Sequence, residues 1–297
     1  MRLIQGSWIT GSHGYNFDAL MADLKSMSQL VRAQDFEVKN NTENEENDIV
    51  QKVTIITGGS RGIGKATALC LAKRGHHVCI GYRSHEEQAN EVVDMIRALG
   101  QPAMAVQVDI ADEKQVMMLF QRAEKELGYI SGLVNNAGIL KPQATIEQLT
   151  AERLNEIFAT NITGTFLCSR EAVKRMAFRH GGHGGVIVNM SSAAARLGSP
   201  HEYVDYAASK GAIDTMTIGL AQEVAAQGIR INTVRPGFIY TDMHADGGEP
   251  ERVDRIKDFL PMKRGGQPEE VAQAIAWLLS NESSYVTGNF IDLAGGK

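Results

Sequence analysis

Tyr206 and Lys210 stand four residues apart in the run Tyr-Ala-Ala-Ser-Lys. On a helix that spacing puts both side chains on one face. A phenol, with a reference pKa of about 10, is a poor proton acceptor at neutral pH. A neighbouring ammonium stabilises the phenolate. At roughly 5 Å and an effective dielectric of about 20 it contributes about 3 kcal/mol, or about two pKa units. Such a phenol can give a proton to a carbonyl or take one from an alcohol. Taken alone, the pair reads more simply as a solvated helical face. What changes that is Ser191-Ser192 upstream, at the end of an apolar run, where a hydroxyl can polarise a carbonyl oxygen.

A second constellation lies near residue 60. Thr57-Gly58-Gly59-Ser60-Arg61-Gly62-Ile63-Gly64 follows the β-branched run Val53–Thr57 and opens a helical pattern. Gly58, Gly62 and Gly64 allow a tight turn whose backbone approaches a pyrophosphate seated on the helix N-terminus. Strand, glycine turn and helix in that order point to a dinucleotide rather than an ordinary turn. The next apolar run ends Gly81-Tyr82-Arg83-Ser84, with no acid until Glu86. An acid at that place would bind the ribose hydroxyls of NAD. Arg83, Ser84 and Arg61 instead offer a guanidinium pair and a hydroxyl to a 2′-phosphate. NADP is the expected cofactor and NAD the alternative, with a merely solvated Arg83 as the plain reading.

These residues need a frame, and the chain alternates regularly from Lys52 onward. Strands are expected at Val53–Thr57, His77–Tyr82, 103–108, 132–135, Val186–Met190, 230–234 and 290–292. Helices are expected at 63–74, up to Leu99, at 113–127, over 146–176 with a break near Thr163-Gly164, at 203–226 and at 269–279. Strands apolar on both faces and separated by helices imply a parallel sheet covered on each side. Right-handed crossovers make this an α/β fold: a single Rossmann-like doubly wound parallel sheet with helices on both faces.

The ordered motifs resemble those of the short-chain dehydrogenase/reductase family. The turn is spaced GxxxGxG, Asn135-Asn136-Ala137-Gly138 follows the fourth strand, and Asn161 lies in an Asn-Ile-Thr-Gly stretch. Ser191-Ser192, the Tyr206 to Lys210 motif and Arg235-Pro236-Gly237 complete the match over about residues 52–297. The resemblance implies catalysis by Asn161, Ser192, Tyr206 and Lys210, with Asn161 holding a water behind Lys210. It implies cofactor contacts from Gly58, Ser60, Arg61, Gly62, Ile63 and Gly64 in the turn, and from Arg83, Ser84, Asp109 and Ile110 at the adenosine end. Asn135, Ala137, Gly138, Tyr206, Lys210, Pro236, Gly237, Ile239 and Thr241 would contact the rest. Asp109 reads equally as a helix N-cap, and Ser191 competes with Ser192 for the catalytic hydroxyl. The stretch from Ser192 to Tyr206 is one residue longer than the family's usual spacing, within Gly198 to Tyr203. Phe238, Met243 and Phe259 are candidates for an apolar substrate wall or for core packing. The implied function is interconversion of a carbonyl and a secondary alcohol. Sugar 1-dehydrogenase and 3-oxoacyl thioester reductase are narrower versions, and a non-catalytic NADP(H) sensor is the alternative of another class. Helices like those carrying Phe158, Phe166 and Tyr206 commonly form four-helix interfaces in this family, so the resemblance implies a homotetramer, or a homodimer.

Composition narrows the partners. The 297 residues carry 30 Lys+Arg and 35 Asp+Glu, a net charge of -5, which gives no basic excess for nucleic acid. No apolar run is long enough to cross a bilayer. His180-Gly-Gly-His183 lacks a complementing carboxylate or cysteine and reads as a loop, so no metal is expected. Cys70, Cys79 and Cys168 read as small core residues of a reducing compartment, and a cytoplasmic location is expected. Residues 1–50 hold four basic and eight acidic side chains and form a separate extension ahead of a 51–297 domain. Phe17, Leu20, Met21, Leu24, Met27 and Val31 recur at helical spacing, before a polar linker at 40–48. A secretory signal or mitochondrial presequence is disfavoured, and the extension is expected to be dispensable.

Overall fold

The computed structural model describes residues 52–297, so the expected amphipathic helix and acidic linker lie outside the described residues. Seven strands form one parallel sheet in the order β3-β2-β1-β4-β5-β6-β7. They are β1 (Val53–Thr57), β2 (His77–Tyr82), β3 (Ala103–Gln107), β4 (Ile130–Asn135), β5 (Gly185–Met190), β6 (Ile229–Pro236) and β7 (Phe290–Leu293). The helices are α1 (Gly62–Ala72), α2 (Glu86–Ala98), α3 (Glu113–Leu127), α4 (Ala151–Phe158), α5 (Thr165–Met176), the short α6 (Ala194–Leu197), α7 (Val204–Val224), α8 (Met243–Asp246), α9 (Arg252–Ile256) and α10 (Pro268–Leu279).

Alternation along β1 decides which helices go where. Val53 and Ile55 pack with α3, α5 and α7 through Phe120, Cys168, Met176 and Val224. Ile56 faces the opposite layer of α1, α2 and α10 through Leu71, Ile96 and Ile275. Because both faces are covered, the strands are largely apolar on both sides, and their buried polar residues, such as Asn135 and Asn189, are hydrogen-bonded to one another. The order reverses between β1 and β4, and a doubly wound sheet opens its ligand crevice beyond the strand ends at that reversal. The expected break in the long 146–176 helix is a π-helical segment, Ala159–Gly164, joining α4 to α5. No described helix is long and apolar enough to cross a membrane.

Candidate active site

The glycine turn caps the crevice at the end of β1. Gly58 and Gly62 have φ of +65° and +53°, where a side chain is strained. A Cβ on Gly64 would stand 2.2 Å from Gly58 O, so α1 packs against the turn only because Gly64 has none. Arg61, the residue before α1, gives no side-chain cap, and the first turn carries no acid. The free N–H groups of α1 therefore open toward the crevice, which suits a pyrophosphate. Asn136, absent from the expected site residues, ties the turn to β4. Its Nδ2 donates to Thr57 O and to Gly58 O, each at 2.9 Å. The Asn136 and Ala137 N–H groups in turn donate to Thr57 Oγ1 at 3.1 and 3.0 Å. Only the doubling of the asparagine could have signalled this.

At the adenosine end, Arg83, Ser84, Asp109 and Ile110 line the crevice together with Tyr82 and His85, which were not anticipated. Arg83 is exposed and forms no ion pair among the described residues. Arg61 differs from expectation. Its guanidinium is engaged by the Asp246 carboxylate of α8, so it is not a free phosphate reader. Asp109 Oδ1 accepts from the Ala111 N–H at 2.9 Å, and the cap of α3 is Asp112 instead. Asn135 does not line the crevice. It is buried, with Nδ2 donating to Ser169 Oγ at 2.9 Å and Asn189 Oδ1 at 2.8 Å, where it joins α5 to β5.

Ser192, Tyr206 and Lys210 converge where β5 ends beside α7, and all three line the crevice. Lys210 is buried; its Nζ donates to Met190 O at 2.8 Å and lies 5.5 Å from the Tyr206 ring centre. Ser191 Oγ donates to Lys210 O at 3.2 Å and is buried as a strand-end tie. Ser192 Oγ accepts from the Ala194 N–H at 3.1 Å, and its own proton reaches only a 3.5 Å contact with Pro236 O. Neither contact holds the hydroxyl firmly, and it also reaches the Tyr206 oxygen, from which it would turn toward a ligand. The electrostatic balance differs from the sequence-based expectation. Burial pushes the Tyr206 phenol up to about 12, against a hydrogen bond with Ser192 that pulls it down. Burial likewise lowers Lys210 to about 8, opposed by the nearby Asp214 carboxylate. The cost of desolvating the phenolate sets the direction of the Tyr206 shift, against the Ser192 hydrogen bond alone.

Asn161 is buried in the π-helical segment, outside the crevice lining. Its Oδ1 accepts from the Ile139 N–H at 2.8 Å, and its Nδ2 donates to Ile139 O and Ser209 Oγ, each at 3.1 Å. A Cβ on Gly138 would lie 3.4 Å from Asn161 Oδ1 and 3.5 Å from Lys210 Nζ. These are ordinary contact distances, so Gly138 packs beside both Asn161 and Lys210.

Leu140, Leu197, Tyr203, Phe238 and Met243 form an apolar far end, with His244 and Arg252 among them. Phe259 does not join them; it is 79% exposed. The lengthened loop turns sharply, with Gly198, Ser199 and His201 at φ of 74°, 44° and 65°. Its outgoing end is clamped to the segment after β6. Arg252 lies 5.0 Å from the Tyr203 ring centre and 5.6 Å from that of Phe238, and donates to Glu202 and Glu249. Hydrogen bonds from Arg255 and Arg252 hold the Glu249 carboxyl down to about 2. His244 Nε2 is 2.9 Å from Ile239 O, and burial keeps this imidazole below its usual pKa. Pro236, Gly237, Ile239 and Thr241 line the same wall, and Thr241 crosses to Gly62, whose Cβ position is 3.4 Å from its Cγ2.

A short-chain dehydrogenase/reductase of Serratia marcescens, solved as a double mutant, superposes with a TM-score of 0.77 at 31% identity, over 83% of this chain and 98% of that one. A family model described as enoyl-(acyl carrier protein) reductase matches residues 58–297. The chain belongs to the short-chain dehydrogenase/reductase family. Among its relatives is the uncharacterized oxidoreductase YgfF of Escherichia coli strain K12, 63% identical over 82% of this chain and 99% of that protein. The 3-oxoacyl-(acyl-carrier-protein) reductase FabG of Staphylococcus aureus is 34% identical over 82% and 97%. This short-chain dehydrogenase/reductase is therefore an oxidoreductase, and membership implies a nicotinamide cofactor and a small-molecule substrate. The glycine cradle, which a Cβ would fill, and the uncapped α1 suit that cofactor.

Proposed function

We propose that this chain is an NADP-dependent oxidoreductase that reduces a carbonyl to a secondary alcohol, with Tyr206 as the proton donor. The observation that carries the reading is the meeting of Ser192, Tyr206 and Lys210 on the wall of the crevice that the glycine turn caps. When bound, the reduced cofactor supplies hydride to the carbonyl carbon. Tyr206 gives its proton to the carbonyl oxygen, and the Ser192 hydroxyl donates a hydrogen bond to that oxygen. Lys210 supplies positive charge beside the phenolate that remains. A phenol raised by burial is protonated at neutral pH and so holds the proton that reduction consumes. Arg83, and Arg61 once it leaves Asp246, would hold the 2′-phosphate. Asn161 fixes the Ile139 backbone and Ser209, the residue before Lys210, and is a candidate for holding a water behind Lys210.

The similarity to a 3-oxoacyl-(acyl-carrier-protein) reductase makes 3-oxoacyl thioesters the second substrate class to try. Exposed Phe166 on α5 and Ile218 on α7 support assembly through those helices as a homotetramer or homodimer, in the cytoplasm. Residues 51–297 would form the catalytic domain, independent of the first 50. The test is steady-state oxidation of NADPH with ketones, aldehydes, sugars and 3-oxoacyl thioesters, repeated with Tyr206→Phe. Turnover should fall by orders of magnitude while NADPH binding persists. Near-wild-type turnover would remove Tyr206 from its role.

A further inference from the structure

Tyr206, Lys210 and Asp214 follow one another at four-residue intervals along α7, so the three share one side of the helix. Asp214 is largely buried and pairs with Arg235 at the end of β6, Oδ2 standing 3.0 Å from Nε and 2.8 Å from Nη2. Its Oδ1 is buried without any hydrogen-bond partner among the described residues. Arg235 is fixed in turn by the Phe290 ring of β7, whose centre lies 3.9 Å from its Cζ. A carboxylate with one unanswered oxygen, one helical turn from a buried ammonium, acts on that ammonium through space.

We infer that Asp214 and Arg235 hold Lys210 in a balanced field of two opposed charges, so that both are positioning residues for the Tyr206–Lys210 pair. Neither lines the crevice. The pair's two members pull in opposite directions: the carboxylate favours the protonated amine and the guanidinium opposes it. The other charged groups around Lys210 are already matched. Asp205 on α7 is paired with Arg153 of α4 at 2.6 Å. Asp292 on β7 lies 3.8 Å from Arg235 and 3.5 Å from Arg196 of α6. The π-helical segment contributes the neutral Asn161, and β5 the Met190 carbonyl that accepts from Lys210. Asp214 opposes the lowering of Lys210 by burial, which agrees with this arrangement. The influence on turnover rests on the catalytic reading above; the influence on the amine does not.

Opposite signs make the test sharp. A unit charge roughly 8 Å away at an effective dielectric of about 20 moves a titration by about 1.5 pH units. Lys210 is followed by NMR of isotope-labelled lysine side chains in the cofactor-free protein, its resonance assigned by its loss in Lys210→Met. Asp214→Asn should lower the Lys210 titration by about 1.5 units, and Arg235→Met should raise it by a similar amount. The pH profile of turnover should shift the same two ways. A merely structural pair would weaken the fold from either side without opposed titrations. Should a single variant fail to fold, Asp214→Asn combined with Arg235→Met removes both charges and should titrate near wild type, as should Asp214→Glu. Shifts in one direction only, or none, would overturn the inference. Opposed amine titrations with a fixed rate profile would uphold the field and remove Lys210 from catalysis.

Discussion

Cofactor preference offers the most direct experiment, because the two arginines expected to read a 2′-phosphate are in different states. Arg83 is exposed and pairs with no carboxylate among the described residues. Removing it should cost NADPH a full charge-assisted hydrogen bond, about 1.5–3 kcal/mol, or about 10- to 150-fold in Kd. Arg61 must first leave Asp246. With side-chain exposures of 37% and 45%, that ion pair is worth about 0.2–1 kcal/mol. Arg61→Ala should therefore weaken NADPH by less than Arg83→Ala does. Asp246→Asn, which frees Arg61, should tighten NADPH by about 1.5- to 5-fold. NADH, lacking the phosphate, should change little in all three. Cofactor fluorescence titrations at one fixed ionic strength would read each Kd, since exposed charges are screened by salt. Equal losses of NADH and NADPH in Arg83→Ala would mean that Arg83 supports the fold. A parallel gain for NADH in Asp246→Asn would mean that the pair restrains the loop and not the phosphate reader.

Gly64→Ala should lower both melting temperature and cofactor affinity, because its Cβ would meet Gly58 O at 2.2 Å; overpacking of this kind costs about 1–3 kcal/mol. An unchanged melt with normal NADPH binding would refute the close approach. Lys210→Met should raise the thermal stability of the cofactor-free protein near pH 7 while lowering turnover. The folded Lys210 titrates near 8 against 10.5 for a free lysine, so the unfolded chain holds the extra proton between those values. Its penalty, at most about 3 kcal/mol before the lost Met190 hydrogen bond is subtracted, is complete below pH 8 and fades as pH rises toward 10.5. Melts of wild type and variant that ran parallel across that range would exclude it. Glu202→Gln should loosen the Arg252 clamp and raise KM more than it lowers kcat, with faster proteolysis between residues 243 and 260. Unaltered KM and cleavage would show that Glu249 alone suffices.

Local pattern carried much of this protein. The β-branched runs and the glycine punctuation marked the strands, because a strand buried on both faces is drawn mostly from apolar and β-branched side chains. The 58–64 turn was readable for a similar reason: its positive-φ positions exclude most other residues. The four-residue interval from Tyr206 to Lys210 also survived intact, since helix geometry converts spacing into a shared face. What spacing could not convey was solvation. It gave the ammonium and the phenol a shared face, with the ammonium 5.5 Å from the ring centre, yet not the burial that drives the phenol up instead of down.

Long-range partners were likewise silent. Asn135 and Asn136 are adjacent and chemically identical, but the pleat sends the first into the layer beneath the sheet and the second to the glycine turn. Arg61 looks free in the chain and is held by Asp246, 185 residues away. Phe259 has the composition of a pocket residue and stands in solvent, whereas Arg252, a charge, is stacked near two aromatic rings at the substrate end. The sequence by itself determined the sheet, its helices and which residue types stand at the strand ends. Only the tertiary structure decided which of those residues face the crevice, which are neutralised by a distant charge and which are stripped of water. Hydrogen bonding and desolvation depend on neighbours that the fold, not the chain order, brings together.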